Sequence, residues 1–267
     1  MRKSLFAVVA VLFTLAGCKG SLEDIPKSVA VGIVTVALAD APSGIHNTSP
    51  TAYFVDASNV NLPNSAVSAD TCAQLPFPGI STPTPLPQLD AGTPVIFATP
   101  DDTVQLTATA PDVNGYVFYR LPAHDSIPVR PGLTSHVTIP GASNGFHAFS
   151  YEFTNADSLA IQPIDATLAD STQDLTLNWN PQLGKTASVV VQLAWASSGS
   201  TPNTQIFCQF TDNGSHAVEK RLANLWRAGT SKRVHAYRFL TSITNDGTDQ
   251  LDVVSQYSTD SIQILNP

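Results

Sequence analysis

The feature that most constrains this fold is an alternation of apolar and polar residues over short runs. The runs 175–179 and 206–210 place an apolar residue at every second position, and 189–195 does so on a more buried strand. Successive side chains of a strand point to opposite faces, so a period of two marks strands with one buried face. The run 29–38 is rich in Val and Ile and predicts a buried strand.

Turn residues separate these runs along the whole chain. Pro, Gly, Asn and Asp cluster at 111–115, 130–132, 140–145 and 245–247. Further strands are predicted at 51–55, 94–98, 103–109, 116–121, 135–139, 146–153, 235–243, 251–257 and 262–265. Short strands at near-regular spacing predict an all-β sandwich fold and disfavour βαβ units.

Composition agrees with this fold class. Charged residues make up 13% of the chain, and there are 20 prolines and one methionine. Such a composition is low in the helix formers Glu, Lys and Met and rich in turn residues. The proline-rich run 75–89 cannot donate ladder hydrogen bonds and predicts a long surface loop.

One segment has helical spacing. Val218, Leu222, Leu225 and Trp226 recur at intervals of three and four, which predicts a short helix at 215–228 with these four side chains buried. Ser215 is the predicted N-cap, and Gly229 the predicted stop.

The amino terminus predicts export. Arg2 and Lys3 precede an apolar run of about 11 residues, too short to cross a bilayer. The run ends in the sequence LAGC at 15–18, which resembles the lipobox of bacterial lipoproteins. The resemblance implies cleavage before Cys18 and a membrane anchor of acyl chains on it. An unmodified cysteine in an ordinary signal peptide is the alternative. Lys19 favours the outer membrane, with the protein facing the periplasm or the cell surface.

Together these segments predict a signal peptide at 1–17, a tether at 18–28 and two immunoglobulin-like β-sandwich domains in tandem, at 29–168 and 169–267. The sequences DTC at 70–72, LDAG at 89–92 and VRPG at 129–132 resemble tandem β-sandwich proteins of Gram-negative envelopes. DLTLNWN at 174–180 and FCQF at 207–210 are similar to the second module of those proteins. The resemblance implies an immunoglobulin-like fold, carries no activity and assigns no functional residue.

Charge is unevenly distributed. The net charge is −8, which disfavours nucleic acid as a partner, and residues 28–119 contain no Lys or Arg. Basic residues concentrate near the carboxyl end, at Lys220, Arg221, Arg227, Lys232, Arg233 and Arg238. We predict that Lys220, Arg221, Arg227, Lys232 and Arg233 form a contact surface for an anionic partner. A solvated helix face and docking onto the first domain are the alternatives.

The remaining chemical signals are weak. His124-Asp125-Ser126 has the residue types of acyl transfer, but consecutive residues point in different directions, so a polar loop is predicted. The histidines at 46, 124, 136, 147, 216 and 235 have no metal-binding spacing. Oxygen ligands at 245–249 and 101–102 lack a complete calcium loop and indicate turns. We therefore predict no enzymatic activity, no cofactor and no metal.

Two cysteines remain besides Cys18. An oxidising envelope compartment permits a disulfide between Cys72 and Cys208. Against it, they fall in different predicted domains, and Cys208 shares a strand face with Ile206 and Phe210, as a small buried hydrophobe does. Both interpretations stay open.

These observations predict a lipid-anchored envelope protein that acts as a non-enzymatic structural, scaffold or interaction module, including as an accessory subunit of a membrane-associated complex. Its partners would be the membrane, through Cys18, and a protein or polysaccharide of the envelope. A carbohydrate- or surface-binding adhesin is the alternative. A hydrolase is a third and less favoured interpretation.

Overall fold

The structure is a computed structural model and describes part of the chain. The described residues are 30–39, 45–57, 68–76, 87–112, 115–122, 125–166, 172–182, 186–260 and 262–265. The predicted signal peptide, Cys18 and the tether lie outside them, and so do His124 and most of the proline-rich run.

The described residues form strands and one helix. The strands of the first half are β1 (Ala30–Ala39), β2 (His46–Thr48), β3 (Thr51–Asp56), β4 (Thr71–Pro76), β5 (Val95–Ala98), β6 (Thr103–Ala108), β7 (Tyr119–Arg120), β8 (Ile127–Val129), β9 (Thr134–Ile139), β10 (Phe149–Thr154) and β11 (Ile164–Asp165). Those of the second half are β12 (Leu175–Asn178), β13 (Ala187–Ala196), β14 (Thr204–Thr211), β15 (Ser215–Val218), β16 (Thr230–Asn245), β17 (Asp249–Thr259) and β18 (Ile264–Leu265). The helix is α1 (Lys220–Ala228). The all-β prediction with one short helix is confirmed.

The largest sheet of the described residues has 12 strands, in the order β10-β9-β5-β6-β7-β3-β1-β17-β16-β13-β14-β4. Three two-stranded sheets accompany it: β2 with β8, β11 with β18, and β12 with β15. The end strand β10 contacts β16 and β17 near the middle of the order, so the sheet folds back over itself. This arrangement encloses a core in the manner of a sandwich.

Strands from both halves of the sequence share this sheet. β1 pairs in parallel with β17 over its whole length, from Ala30 opposite Asp249 to Ala39 opposite Ser258. At the far end, β4 pairs antiparallel with β14. Two tandem immunoglobulin-like domains, divided at 168/169, are therefore not confirmed, because hydrogen-bonded ladders cross that division.

The main core lies on one face of the sheet. Trp179 and Trp195, the last residues of two alternating runs, are 5% and 4% exposed there. Helix α1 covers part of this face, packing against β13, β14 and β4. The opposite face carries two smaller apolar clusters, one around Tyr53 and the other around Phe239.

The helix begins later than the sequence predicts. Ser215 does not cap it, because Ser215–Val218 forms β15 and pairs antiparallel with β12. Glu219 occupies the N-cap position without a side-chain hydrogen bond. Trp226 is buried as predicted, whereas Leu225 is 41% exposed, so the prediction that Leu225 lies on the buried face is wrong.

Candidate interaction surface

The predicted basic surface divides into two pairs of residues, of which three residues are exposed. Lys220 and Arg221 are exposed in the first turn of α1. Lys232 is half-buried and Arg233 exposed near the start of β16, which follows α1 directly. Nine helical residues span about 13 Å at 1.5 Å per residue, so one pair lies near each end of the helix.

Arg227 does not belong to this surface. The residue is 7% exposed. Its Nη1 donates to the Gln173 carbonyl at 3.0 Å and to Asn224 Oδ1 at 3.2 Å. The prediction that Arg227 faces solvent is wrong, because its side chain ties the end of α1 to the segment before β12.

The first pair sits where positive charge is disfavoured. The N-terminus of a helix carries a partial positive charge, and α1 has no acidic residue in its first turn. A carboxylate from elsewhere compensates, since the Lys220 backbone N–H donates to Asp174 Oδ1 at 2.6 Å. The Lys220 and Arg221 side chains therefore gain no favourable interaction with the helix dipole.

Arg238 is internal as well. Its Nε donates to Asp212 Oδ2 at 2.7 Å, and the two side chains are 0% and 1% exposed. Its Nη1 donates to the Ser158 carbonyl at 2.6 Å, and its Nη2 donates to the Asn180 carbonyl. Trp179 Nε1 donates to the other carboxylate oxygen of Asp212, Oδ1, at 2.7 Å. This network fixes the segment after β10 to β16 and leaves Arg238 no surface role.

Cys72 and Cys208 are bridged in the structure. They lie directly opposite each other on β4 and β14, with a sulfur–sulfur distance of 2.09 Å. Asp70 holds the start of the same edge strand, because its carboxylate accepts hydrogen bonds from the N–H and hydroxyl groups of Thr211 at 2.7 and 3.0 Å. Cys208 is also fully buried, so both features that the sequence suggested for it coexist.

Asp125 and Ser126, from the predicted polar loop, line a shallow depression of about 590 Å³. Val104, Gln105, Leu121 and Pro122 form the rest of its lining. The Asp125 N–H donates to the Pro122 carbonyl at 3.0 Å, which is turn geometry. Nothing in these contacts places the Ser126 hydroxyl beside a base.

The structure brings together one Ser–His contact that the sequence did not indicate. His136 Nε2 lies 3.0 Å from Ser150 Oγ, and its Nδ1 lies 3.4 Å from Thr138 Oγ1. The three residues come from the adjacent strands β9 and β10. Cross-strand neighbours are far apart in sequence, so only the register could have revealed this contact. In a catalytic triad a carboxylate accepts a hydrogen bond from the second histidine nitrogen, whereas here the Thr138 hydroxyl occupies that position.

The 245–249 segment is a turn. Asp246 Oδ1 accepts hydrogen bonds from the N–H groups of Thr248 and Asp249, each at 2.8 Å. The backbone hydrogen bond from Asp249 is the main reason that the pKa of Asp246 lies below its usual value. Within the described residues, no group of three or more His, Cys, Asp or Glu side chains is arranged to hold a metal ion.

The described helix is not long or apolar enough to span a membrane. Neither a protein-family model nor a curated protein sequence matches this chain.

Proposed function

We propose that this chain is a lipid-anchored protein of the bacterial outer membrane that acts as a non-enzymatic interaction module. Its surface for an anionic partner comprises the two basic pairs, Lys220 with Arg221 and Lys232 with Arg233. The observation that carries the proposal is the exposure of Lys220 and Arg221 at a helix end where positive charge is disfavoured. Within the described residues, neither side chain forms an ion pair.

The anchor sets how far the module reaches. An extended chain spans at most about 3.3–3.6 Å per residue, so the tether at 18–28 would keep β1 within about 40 Å of a lipidated Cys18. At that range, an acidic face of a neighbouring envelope protein is accessible to the basic pairs. The bridge between Cys72 and Cys208 supports an oxidising compartment, which the envelope provides.

The first experiment tests the anchor. Cys18→Ala should abolish fatty-acid labelling and release the protein from the membrane fraction. Unchanged labelling would remove the basis of the proposed localisation.

The second experiment tests the surface. The full chain, affinity-purified from its own membrane, is compared with a variant in which Lys220, Arg221, Lys232 and Arg233 are replaced by Ser. The partner that co-purifies at low salt should be lost from the variant, while the free energy of unfolding changes by no more than about 0.5 kcal/mol for each residue replaced. Arg130→Ser removes an exposed cation elsewhere and is the control. Unchanged partners at low and moderate salt would contradict the proposal.

We propose, as a separate point, that residues 29–168 and 169–267 are two immunoglobulin-like sandwich modules, each able to stay folded, although their strands share one sheet. Limited proteolysis at 167–171 tests this division. Cleaved halves that separate and stay folded after reduction support two modules. Halves that unfold on separation contradict them, because the β1–β17 ladder would then be indispensable to both.

A further inference from the structure

The depression beside β6 has the size and lining of a binding site. Its volume of about 590 Å³ falls within the range of ligand pockets, which is roughly 300–1,000 Å³. Val104, which is half-buried, and Leu121, which is 9% exposed, form apolar parts of the lining. Gln105, Asp125 and Ser126 are exposed polar residues of the same lining. Apolar lining with a few polar groups is typical of sites that bind a ligand or partner.

The depression opens where the ladder between β6 and β7 ends. β6 pairs with β7 only over its last two residues. The register, in which Thr107 lies opposite Arg120, would place Gln105 opposite Pro122 if the ladder continued. It ends because Pro122 has no N–H to donate, and the Pro122 carbonyl accepts a hydrogen bond from the Asp125 N–H at 3.0 Å instead. β6 and the segment after β7 therefore separate, and residues of both line the depression.

The direction of the Gln105 backbone groups follows from this ladder. Successive residues of an antiparallel strand direct their N–H and C=O groups alternately to the two sides of the strand. Just beyond β6, the Thr109 N–H donates to the Phe118 carbonyl at 2.8 Å, which is the side of β7. Thr107 and Gln105 follow at intervals of two and direct their groups to the same side. In the described residues, no backbone group pairs with Gln105 there, so the depression contains a free strand edge.

This edge lacks the features that usually protect one. Natural proteins guard edge strands with charged residues, proline or a bulge. β6 has the sequence TVQLTA, which contains neither a charged residue nor proline, and it pairs with β5 residue for residue. Asp125 adds a negative charge beside the edge, because it is exposed and forms no ion pair within the described part of the chain.

We propose that the free edge at Gln105 is a strand-addition site for an extended, basic peptide segment of an envelope protein. The peptide residue opposite Gln105 would exchange two backbone hydrogen bonds with it. The two neighbours of that residue point to the other face, on the side of Val104 and Leu121, where apolar side chains fit. Lys or Arg in the peptide complements Asp125. The site uses none of the basic pairs and does not depend on the proposed basic surface.

The test uses the full chain, purified in detergent, and the peptide Thr-Val-Lys-Val-Thr with a neutral fluorophore at its amino end and a carboxyl-terminal amide. Fluorescence anisotropy should show saturable binding with a Kd of about 1 mM or below, because strand addition draws its affinity from the backbone. The same peptide with an N-methylated Lys should bind at least about tenfold more weakly, because it lacks the central N–H donor and the methyl group holds the strands apart.

Variants of Gln105 separate backbone from side-chain recognition. Gln105→Pro removes the free N–H and should abolish binding, while proline is tolerated where the N–H of an edge strand faces solvent. Gln105→Ala is the matched control, because it keeps the backbone groups, and it should bind like wild type. Thermal unfolding of the two variants should coincide. Asp125→Asn should weaken binding of the Lys peptide several-fold and leave binding of its norleucine counterpart unchanged.

Hydrogen exchange gives a readout that needs no variant. The peptide should slow exchange of the Gln105 amide in the wild-type chain, but not that of the Val104 amide, which already faces β5. Absence of saturable binding, or equal binding of the N-methylated peptide, would overturn the proposal. Equal losses in Gln105→Ala and Gln105→Pro would also overturn it, since they indicate side-chain recognition, as of a polysaccharide. A dimer without peptide that Gln105→Pro dissociates would replace the peptide with a second copy of this chain.

Discussion

Arg238 and Asp212 form an ion pair inside the molecule, with Nε 2.7 Å from Oδ2 and side chains 0% and 1% exposed. The remaining guanidinium hydrogens are directed at the backbone carbonyls of Ser158 and Asn180. Removing one partner of such a pair leaves a buried charge, which costs about 3–5 kcal/mol. The contact between β16 and the segment after β10 therefore depends on both charged residues, and loss of either one destabilises it.

Arg238→Met should lower the free energy of unfolding by about 3–5 kcal/mol, because Asp212 would stay buried without its cation. Urea unfolding of the full chain measures the change. Arg233→Met is the matched control, since Arg233 is exposed, and should change stability by less than about 0.5 kcal/mol. Equal midpoints for the two variants would show that the ion pair is dispensable.

Asp252→Asn should stabilise the protein at neutral pH. Burial raises the pKa of Asp252 from 3.8 to about 6, so the folded state holds the proton more tightly than the unfolded state. Stability therefore falls as the pH rises from about 4 to 6, by up to about 3 kcal/mol. Asn removes this penalty and keeps an oxygen for the Gln250 amide.

The measurement for Asp252→Asn is urea unfolding at pH 4 and pH 7. The gain should reach about 3 kcal/mol at pH 7 and nearly vanish at pH 4. Asp125→Asn, at an exposed position, is measured alongside as the control substitution. A gain that is equal at both pH values would be inconsistent with a raised pKa.

Reduction of the Cys72–Cys208 bridge should destabilise the fold. The bridge closes a loop of 136 residues, for which the chain-entropy relation gives at most about 5 kcal/mol. Unfolding with and without dithiothreitol measures the loss. The double variant Cys72→Ala, Cys208→Ala should be insensitive to dithiothreitol, and a reductant effect that persists in it would assign the loss to another cause.

Gly229→Ala should destabilise by about 1–3 kcal/mol through overpacking. An added Cβ would lie 2.1 Å from Cδ1 of Trp195, although the backbone at Gly229 has an ordinary extended conformation. Thermal unfolding measures the effect. In a Trp195→Leu background the penalty should shrink, because the obstructing ring is gone, whereas additive losses would exclude this contact as the cause.

The strands of the sheet were predictable because their signal is local. The strand-length apolar runs at 189–195 and 251–257 locate β13 and β17, which the structure buries on both faces. The edge strand β4 was not predicted, because TCAQLP has no clear alternation and adjoins the proline-rich run. β4 forms only by pairing with β14, which lies more than 100 residues later in the sequence.

The helix start shows the same division between local and distant causes. The spacing of Leu222 and Trp226 correctly predicts the buried side of α1. Ser215 has the right residue type for a cap, but the backbone of Ser215–Val218 forms hydrogen bonds with β12 and is therefore extended. Non-local hydrogen bonds override capping propensity there, and no sequence window contains both strands.

The candidate sites depend even more on distant partners. Arg227 and Arg238 have the same residue type as exposed Arg221, and only the carbonyl and carboxylate groups around them explain their burial. The sequence predicted the two basic pairs because their charges cluster locally. Locating the free edge at Gln105 required the register of β6 and β7.

The parallel pairing of β1 with β17 also determines when folding can finish. Ser258 Oγ donates to the Leu38 carbonyl across 220 residues of sequence. β1 lies far ahead of β17 in the chain, and one of its edges has no partner until β17 is in place. Long-range closure of this kind slows folding. During that interval a Val- and Ile-rich strand with an open edge is available to other chains, so a molecule that is partly folded, or truncated before β17, is the aggregation-prone species.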